Sequence, residues 1–290
     1  MREIKTVGFI GLGVMGEPMC ANLRRKSGLT VLAHDMRNEP VQRLAADGVT
    51  GASPRDIARH ADVILLSLPD GPAVQAVIAA LEPHLSAGQT VVDMSTAPVA
   101  LTREIGARLT GAGVHFADAP VARTREAALR GDLSITVGAT DDLFAHLAPL
   151  LAHMGSDVTH CGPVGTGQVV KILNNMLVFE NTCAVAEAIA LGRRNGVPAE
   201  KLLPALAKGS GDSFVLRNHG MKAMMVDEYP ERAFSTLYAM KDLSYALAMA
   251  DEAGLDVEGA RLAMRRFEAS VKAGNAQKYH PAVRDVIDPQ

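Results

Sequence analysis

Between a β-rich run, Lys5 to Ile10, and a helical pattern, Val14 to Lys26, the chain reads Gly-Leu-Gly-Val-Met-Gly from Gly11 to Gly16. Few six-residue stretches restrict a fold as much. Gly11 permits a tight turn, Gly13 lets phosphates approach the backbone, and Gly16 lets the following helix pack closely on the strand. The spacing alone is common, but with a strand before it and a helix after it, it predicts a βαβ unit whose helix N-terminus receives a pyrophosphate. A second strand, Leu29 to His34, ends in Asp35, where such units carry a carboxylate for the ribose hydroxyls. Gly11, Leu12, Gly13, Val14, Met15, Gly16, Asp35 and Met36 are thus the expected dinucleotide contacts. Asp35 would repel a 2′-phosphate and Met36 stands where an arginine could receive one, which predicts NAD; Arg37, one position on, keeps NADP possible.

Strand and helix patterns keep alternating. A helix Glu39 to Asp47 and a helix capped by Ser53 precede the apolar strand Val63 to Leu68, which ends in Pro69. Helix Pro72 to Leu81, strand Thr90 to Met94, helix Val99 to Leu109 and strand Val114 to Ala117 follow. Strands Leu133 to Val137 and Asp157 to Cys161, with a helix between them, complete the series before Gly162-Pro163 punctuates it. The pattern predicts an α/β fold, a Rossmann-type doubly wound parallel sheet over residues 1–163. Ligands gather beyond the carboxyl ends of such strands, so Leu68, Pro69, Asp70, Ser95, Thr96 and the loop Asp118 to Thr124 are expected to face cofactor or substrate.

Gly165 to Asn195 reads as one long helix. Val169, Val170, Ile172, Leu173, Met176, Leu177, Val178 and Phe179 leave its middle without a polar face, so it is expected to be buried. Lys171 lies inside it, with Asn174 and Asn175 three and four residues on, on one face. Two readings are open: an internal hydrogen-bond cluster, or a catalytic ammonium beside two amides that orient a substrate. The cost of burying a lysine without a neighbouring carboxylate favours the second. Helical text then continues over Ala199–Lys208, Phe214–Met225, Thr236–Ala253, Val257–Ala273 and Pro281–Ile287, an all-helical domain over 164–290. Tyr238, Met240, Leu243, Ala246, Leu247 and Ala250 recur at helical spacing as its core.

A chain of 290 residues with 48% hydrophobic residues suffices for two domains. A net charge of -3 and the lack of any Lys/Arg block argue against nucleic acid. Cys20, Cys161 and Cys183 are odd in number and scattered in apolar text, which suits reduced thiols in a cytoplasmic protein better than disulfides or a metal site. The apolar run near the N-terminus is broken by glycines, unlike a signal peptide, and no run reaches membrane-spanning length.

Four blocks carry a family resemblance: Gly8 to Leu23, Asp118-Ala119-Pro120-Val121, Gly165 to Asn175, and Lys241-Asp242-Leu243. With these the chain resembles the β-hydroxyacid dehydrogenases, which include 3-hydroxyisobutyrate dehydrogenase and tartronate semialdehyde reductase. The resemblance implies a Rossmann domain, a long interdomain helix, a helical C-terminal domain, and a homodimer or homotetramer. It implies a small anionic hydroxyacid or semialdehyde as substrate. It also implies Lys171 as catalytic lysine, Asn175 with Asn174 on the substrate side, Thr96 and Lys241 as cofactor contacts, and the loop after Asp118 as the cradle for the substrate's acid.

One departure stands in that cradle. Ala122, Arg123 and Thr124 occupy positions where the family usually has a serine and two glycines, and an Arg-Thr pair there resembles the sulfolactaldehyde reductase branch. A guanidinium fork suits a carboxylate or a sulfonate, so both substrates stand as expectations; the alternative is that Arg123 turns outward to cap the next helix or pair with Glu126. Three other classes are set against the hydroxyacid dehydrogenase reading. Non-catalytic nucleotide-binding modules have lost the lysine, imine reductases carry another residue there, and phosphogluconate dehydrogenases need a much longer helical domain.

Overall fold

The computed structural model describes residues 1–231 and 233–289. By packing, the chain divides between Lys171 and Ile172, so the start of the long helix goes with the first unit.

The first unit is built on nine strands: β1 (Thr6–Ile10), β2 (Thr30–His34), β3 (Thr50–Gly51), β4 (Val63–Leu66), β5 (Thr90–Asp93), β6 (His115–Asp118), β7 (Val121–Ala122), β8 (Leu133–Gly138) and β9 (Gly155–Gly162). Along the sheet the order is β3-β2-β1-β4-β5-β6-β8-β7, with β9 on β8. The stretch from β3 to β6 is parallel throughout, the doubly wound pattern that the alternation predicts. Beyond β6 the sheet is mixed, a detail that the alternation does not show: β8 runs antiparallel to β6 and β7 and parallel to β9. The physical reason is the short return from β7 to β8, which α6 (Arg125–Arg130) makes without a full crossover.

Successive strand residues feed two cores. Val7, Phe9, Val63, Leu65, Val92 and Ala117 belong to one, while Ile10, Ile64, Leu66, Val91 and Phe116 belong to the other. A sheet covered by helices on both faces needs strands apolar at every position, which is why these strands read as unbroken runs. The helices are α1 (Gly16–Ser27), α2 (Asn38–Ala45), α3 (Pro54–His60), α4 (Gly71–Leu81), α5 (Val99–Gly111), α6 and α7 (Asp141–Leu151). Ser53, Asp70, Thr124 and Thr140 each accept a backbone N–H at the start of the helix that follows.

α8 (Thr166–Arg194) runs 29 residues. Its expected burial on all sides is overturned: Val170, Leu173, Asn174 and Leu177 are exposed, while Gln168, Ile172, Asn175, Phe179 and Thr182 are buried. One stripe at helical spacing faces inward and the opposite face carries leucines. In the second unit, α9 (Ala199–Leu206), α10 (Thr236–Glu252), α11 (Glu258–Ser270) and α12 (Arg284–Ile287) are joined by wider turns at Leu216–Met224 and Val271–Asn275. Apart from one bridge, Ser235 to Tyr279, its described residues are helical or irregular. The buried face of α10 is Thr236, Ala239, Asp242, Leu243, Ala246 and Ala250. Tyr238, expected in that core, is 38% exposed and lies under the Lys241 ammonium, 4.1 Å from ring centre.

Candidate functional site

The glycine turn has the geometry that its spacing predicts. Gly11 takes φ +96°, a conformation that favours glycine, and a Cβ there would stand 2.2 Å from the Ser67 carbonyl oxygen. A Cβ at Gly16 would stand 2.0 Å from the Gly11 oxygen. Gly13 differs, since a Cβ there would meet nothing within 4 Å. Glycines 11 and 16 are demanded by the fold, whereas the space over Gly13 is open for a ligand. These residues therefore fit a dinucleotide.

Asp35 closes β2 with its side chain only 12% exposed. Its Oδ2 accepts the Leu12 N–H at 2.7 Å and its Oδ1 the Arg37 N–H at 2.9 Å. Burial pushes the carboxyl up, but these bonds and the Arg37 charge outweigh it and hold it below the usual carboxylate range. Arg37 lies on Asp35 at 3.4 Å, and Met36 is fully exposed. Val14 points to solvent and Met15 is half-buried.

The turns after β4 and β5 are less open than expected. Asp70 caps α4, and Ser95 faces inward, its hydroxyl accepting the Leu68 N–H at 2.9 Å. Pro69 is exposed and Leu68 and Thr96 are half-buried. Asp118, expected at the mouth of the substrate loop, is fully buried instead. Its Oδ1 accepts the Gly165 N–H at 2.6 Å and its Oδ2 the Gln168 N–H at 2.7 Å. The carboxylate thus caps α8 from outside. Burial lifts it to about 6, and Asp93, opposite it in the β5–β6 register with one oxygen unpartnered, is lifted by burial to about 7.

Lys171 is half-buried, the next turn after Gln168. Farther along α8, in the second unit, Asn174 Nδ2 donates to Asn175 Oδ1 at 3.1 Å, and Asn175 Nδ2 donates to Asp242 Oδ2 at 2.6 Å. Only the second of the two amides is buried, so the pair does not present one uniform face. Lys241 reaches the other oxygen of Asp242 at 3.1 Å. The bonds that Asp242 and Asp118 make were not foreseen: Asp118 was expected to face a ligand, and Asp242 was named only within the Lys241-Asp242-Leu243 block. The signal for Asp242 was its place on the buried stripe of α10, where a carboxylate needs partners; the strand end marks Asp118 as a position, but nothing local shows that its partners lie about fifty positions away.

Arg123 adopts φ +83°, left-handed for a residue with a side chain. Its guanidinium donates to the Asp132 carbonyl at 2.8 Å, to Ser156 Oγ at 2.8 Å and to Asp157 Oδ2 at 2.5 Å. Its acidic partners are Asp132 and Asp157, not the Glu126 of the alternative reading. Ala122 pairs with Ser134 across β7–β8, and the Thr124 hydroxyl caps α6. Ala122 is thus held by backbone pairing, and the Arg123 and Thr124 side chains hold the loop itself.

Residues 6–162 match the family described as the NAD binding domain of 6-phosphogluconate dehydrogenase, and residues 165–287 the NAD-binding domain of NADP-dependent 3-hydroxyisobutyrate dehydrogenase. The chain is 33% identical to 2-(hydroxymethyl)glutarate dehydrogenase of Eubacterium barkeri, over 98% of its own length and 95% of that protein. It belongs to the β-hydroxyacid dehydrogenase family. A NAD-dependent L-serine dehydrogenase of Pseudomonas aeruginosa is 31% identical over 99% of both chains. In structure it is similar to a Mycobacterium tuberculosis 3-hydroxyisobutyrate dehydrogenase with L-serine, at TM-score 0.90, 27% identity, 98% of this chain and 99% of that one. The chain is accordingly an NAD(P)-dependent oxidoreductase of hydroxyacids, not a bare nucleotide-binding module. Among the described residues no helix is long and apolar enough to cross a membrane, and no cluster of His, Cys, Asp and Glu could hold a metal ion.

Proposed function

We propose that the enzyme interconverts a small β-hydroxyacid and its semialdehyde, with Lys171 as general acid in reduction and base in oxidation. The observation that carries this is the half-buried ammonium on a fastened helix turn in a member of this family. The nicotinamide supplies or accepts the hydride when bound. As negative charge develops on the carbonyl oxygen, the Lys171 ammonium stabilises it and delivers the proton. Asn175, one turn on and held by Asp242, orients the substrate oxygen, with Asn174 beside it. Thr96 and Lys241 are proposed cofactor contacts.

The substrates that the relatives' names carry share a primary alcohol next to the carbon bearing the acid, and we assign this chain the same class. Carboxylate is favoured over sulfonate because the Arg123 guanidinium already has its own acids. NAD is favoured over NADP because Asp35 stands at the end of β2 with Arg37 turned onto it. Three free cysteines support a reducing, cytoplasmic setting, and the outward leucines of α8 support a homodimer or homotetramer. The test is a reduction panel of methylmalonic, succinic and tartronic semialdehydes and sulfolactaldehyde, run with NADH and NADPH. A preferred carboxylate with NADH is expected; preference for sulfolactaldehyde, or a higher kcat/KM with NADPH, overturns the corresponding assignment. Lys171→Ala should lose about 10² to 10⁴ in turnover with NADH binding kept.

A further inference from the structure

We propose that Asp118 is a positioning residue for Lys171: by clamping the first turn of α8 onto the ends of the strands, it sets where the ammonium stands. The proposal rests on the assignment of Lys171 as acid. α8 follows Gly165, which has no side chain to cap it, and its first turn holds no acidic residue. The Thr166 N–H has the Pro163 carbonyl at 3.1 Å, which leaves the Gly165 and Gln168 N–H groups at this helix start in need of an acceptor from elsewhere. Asp118 supplies one from the end of β6, a carboxylate at the positive end of the helix with one oxygen on each of two N–H groups.

The surroundings are shaped for that approach. A Cβ at Gly138 would stand 2.3 Å from Asp118 Oδ1, and one at Gly167 would stand 2.8 Å from Oδ2. Two more ties hold the same turn. The Thr136 hydroxyl of β8 donates to the Gly167 carbonyl at 3.1 Å, and Gln168 binds the strand-end turn after β5 through Ser95 O at 2.8 Å and Ala97 N–H at 3.2 Å. Lys171 lies three residues beyond Gln168, so a displaced first turn carries the ammonium with it. A misplacement of about 1 Å costs roughly 10²-fold in rate.

Asp118→Asn keeps the volume and replaces one acceptor by a donor aimed at a backbone N–H. We expect kcat to fall about ten- to a hundredfold, while NADH affinity, read by fluorescence titration, changes less than about threefold. Amide hydrogen exchange over residues 165–171 should quicken at least about tenfold. Should that variant fail to fold, Thr136→Val removes one tie only and should give the same pattern at about three- to tenfold. In a Lys171→Ala background, Asp118→Asn should still quicken exchange but take nothing further from turnover, since it acts through the lysine. Unchanged exchange, unchanged kcat despite faster exchange, or a further tenfold loss without Lys171 would each overturn the proposal. A Lys171→Ala enzyme with full turnover would overturn the acid assignment and the positioning role together, and exchange would then report on the clamp alone.

Discussion

Two loops of the first unit, the glycine turn after β1 and the loop after β7, solve one conformational problem in opposite ways. Each needs a left-handed residue just past a strand: Gly11 at φ +96° after β1, and Arg123 at φ +83° after β7. At Gly11 the missing Cβ makes the turn, and Asp35 holds it through the Leu12 N–H. At Arg123 the conformation carries a cost on the order of 1–2 kcal/mol, offset by bonds to Asp132, Ser156 and Asp157 across the β8–β9 edge. The first loop owes its shape to what is absent from it. The second owes its shape to partners up to 34 residues away.

The largest expected effect breaks the first solution. Gly16→Ala drives a Cβ into the Gly11 carbonyl and must push α1 off the turn, so NADH affinity should fall by at least about a hundredfold and Tm with it, as for overpacked sites costing roughly 1–3 kcal/mol. Gly13→Ala meets no protein atom. It should weaken NADH to a similar degree and leave Tm unmoved. Calorimetry together with NADH titration checks the pair; a Gly13→Ala enzyme that binds NADH as tightly as wild type would remove the ligand from the space above Gly13.

This contrast explains how much was legible. Glycine spacing, apolar strands and the cap at Ser53 are local signals, and they carried the alternation of strands and helices and the shape of the glycine turn. The antiparallel end of the sheet, the α8 clamp and the Arg123 ties depend on contacts between distant positions, which no periodicity in one sequence records. The exposed face of α8 was misread for a related reason, because Val170, Leu173 and Leu177 are apolar without being buried.

A second prediction asks whether either loop limits acid stability, and the expected answer lies in the other unit. His280 is fully buried among Phe179, Phe234, Phe267 and Tyr279, with His219 adjacent and bonded to Tyr279. Burial lowers His219 to about 4 and holds His280 well below its ordinary value. Since the folded values lie below the unfolded one, the unfolded chain binds more protons in acid. Their stability is complete above 6.5 and is lost as pH falls toward about 4, on the order of 3 kcal/mol for His219 alone. Denaturant unfolding at pH 7.5 and 5 should show about 2 kcal/mol of that loss, and His219→Gln should reduce it. A His219→Gln protein with an unchanged pH slope would assign the acid limb elsewhere.

The smallest expected effect tests the second loop. Arg123→Ala removes the ties but keeps a Cβ in the left-handed conformation, so loop order should suffer and kcat/KM for an acidic substrate should fall by less than about tenfold. Arg123→Gly also lacks the ties, yet glycine adopts φ +83° at no steric cost, so it should lie nearer wild type than alanine does. Salt should act where pH does not. Asp132 and Asp157 are held below their ordinary value of 3.8, first by the Ser156 hydroxyl and then by Arg123, so their bonds persist above that value and fail only as pH falls below it. Both ion pairs are exposed enough to be screened, and KM should therefore rise modestly between about 0.05 and 0.5 M NaCl in wild type and stay flatter in Arg123→Gly. Equal hundredfold losses in the alanine and glycine variants, confined to acidic substrates and with Tm unmoved, would mean that the guanidinium leaves its carboxylates to take the substrate's anion. The two loops would then differ in recognition as well as in conformation.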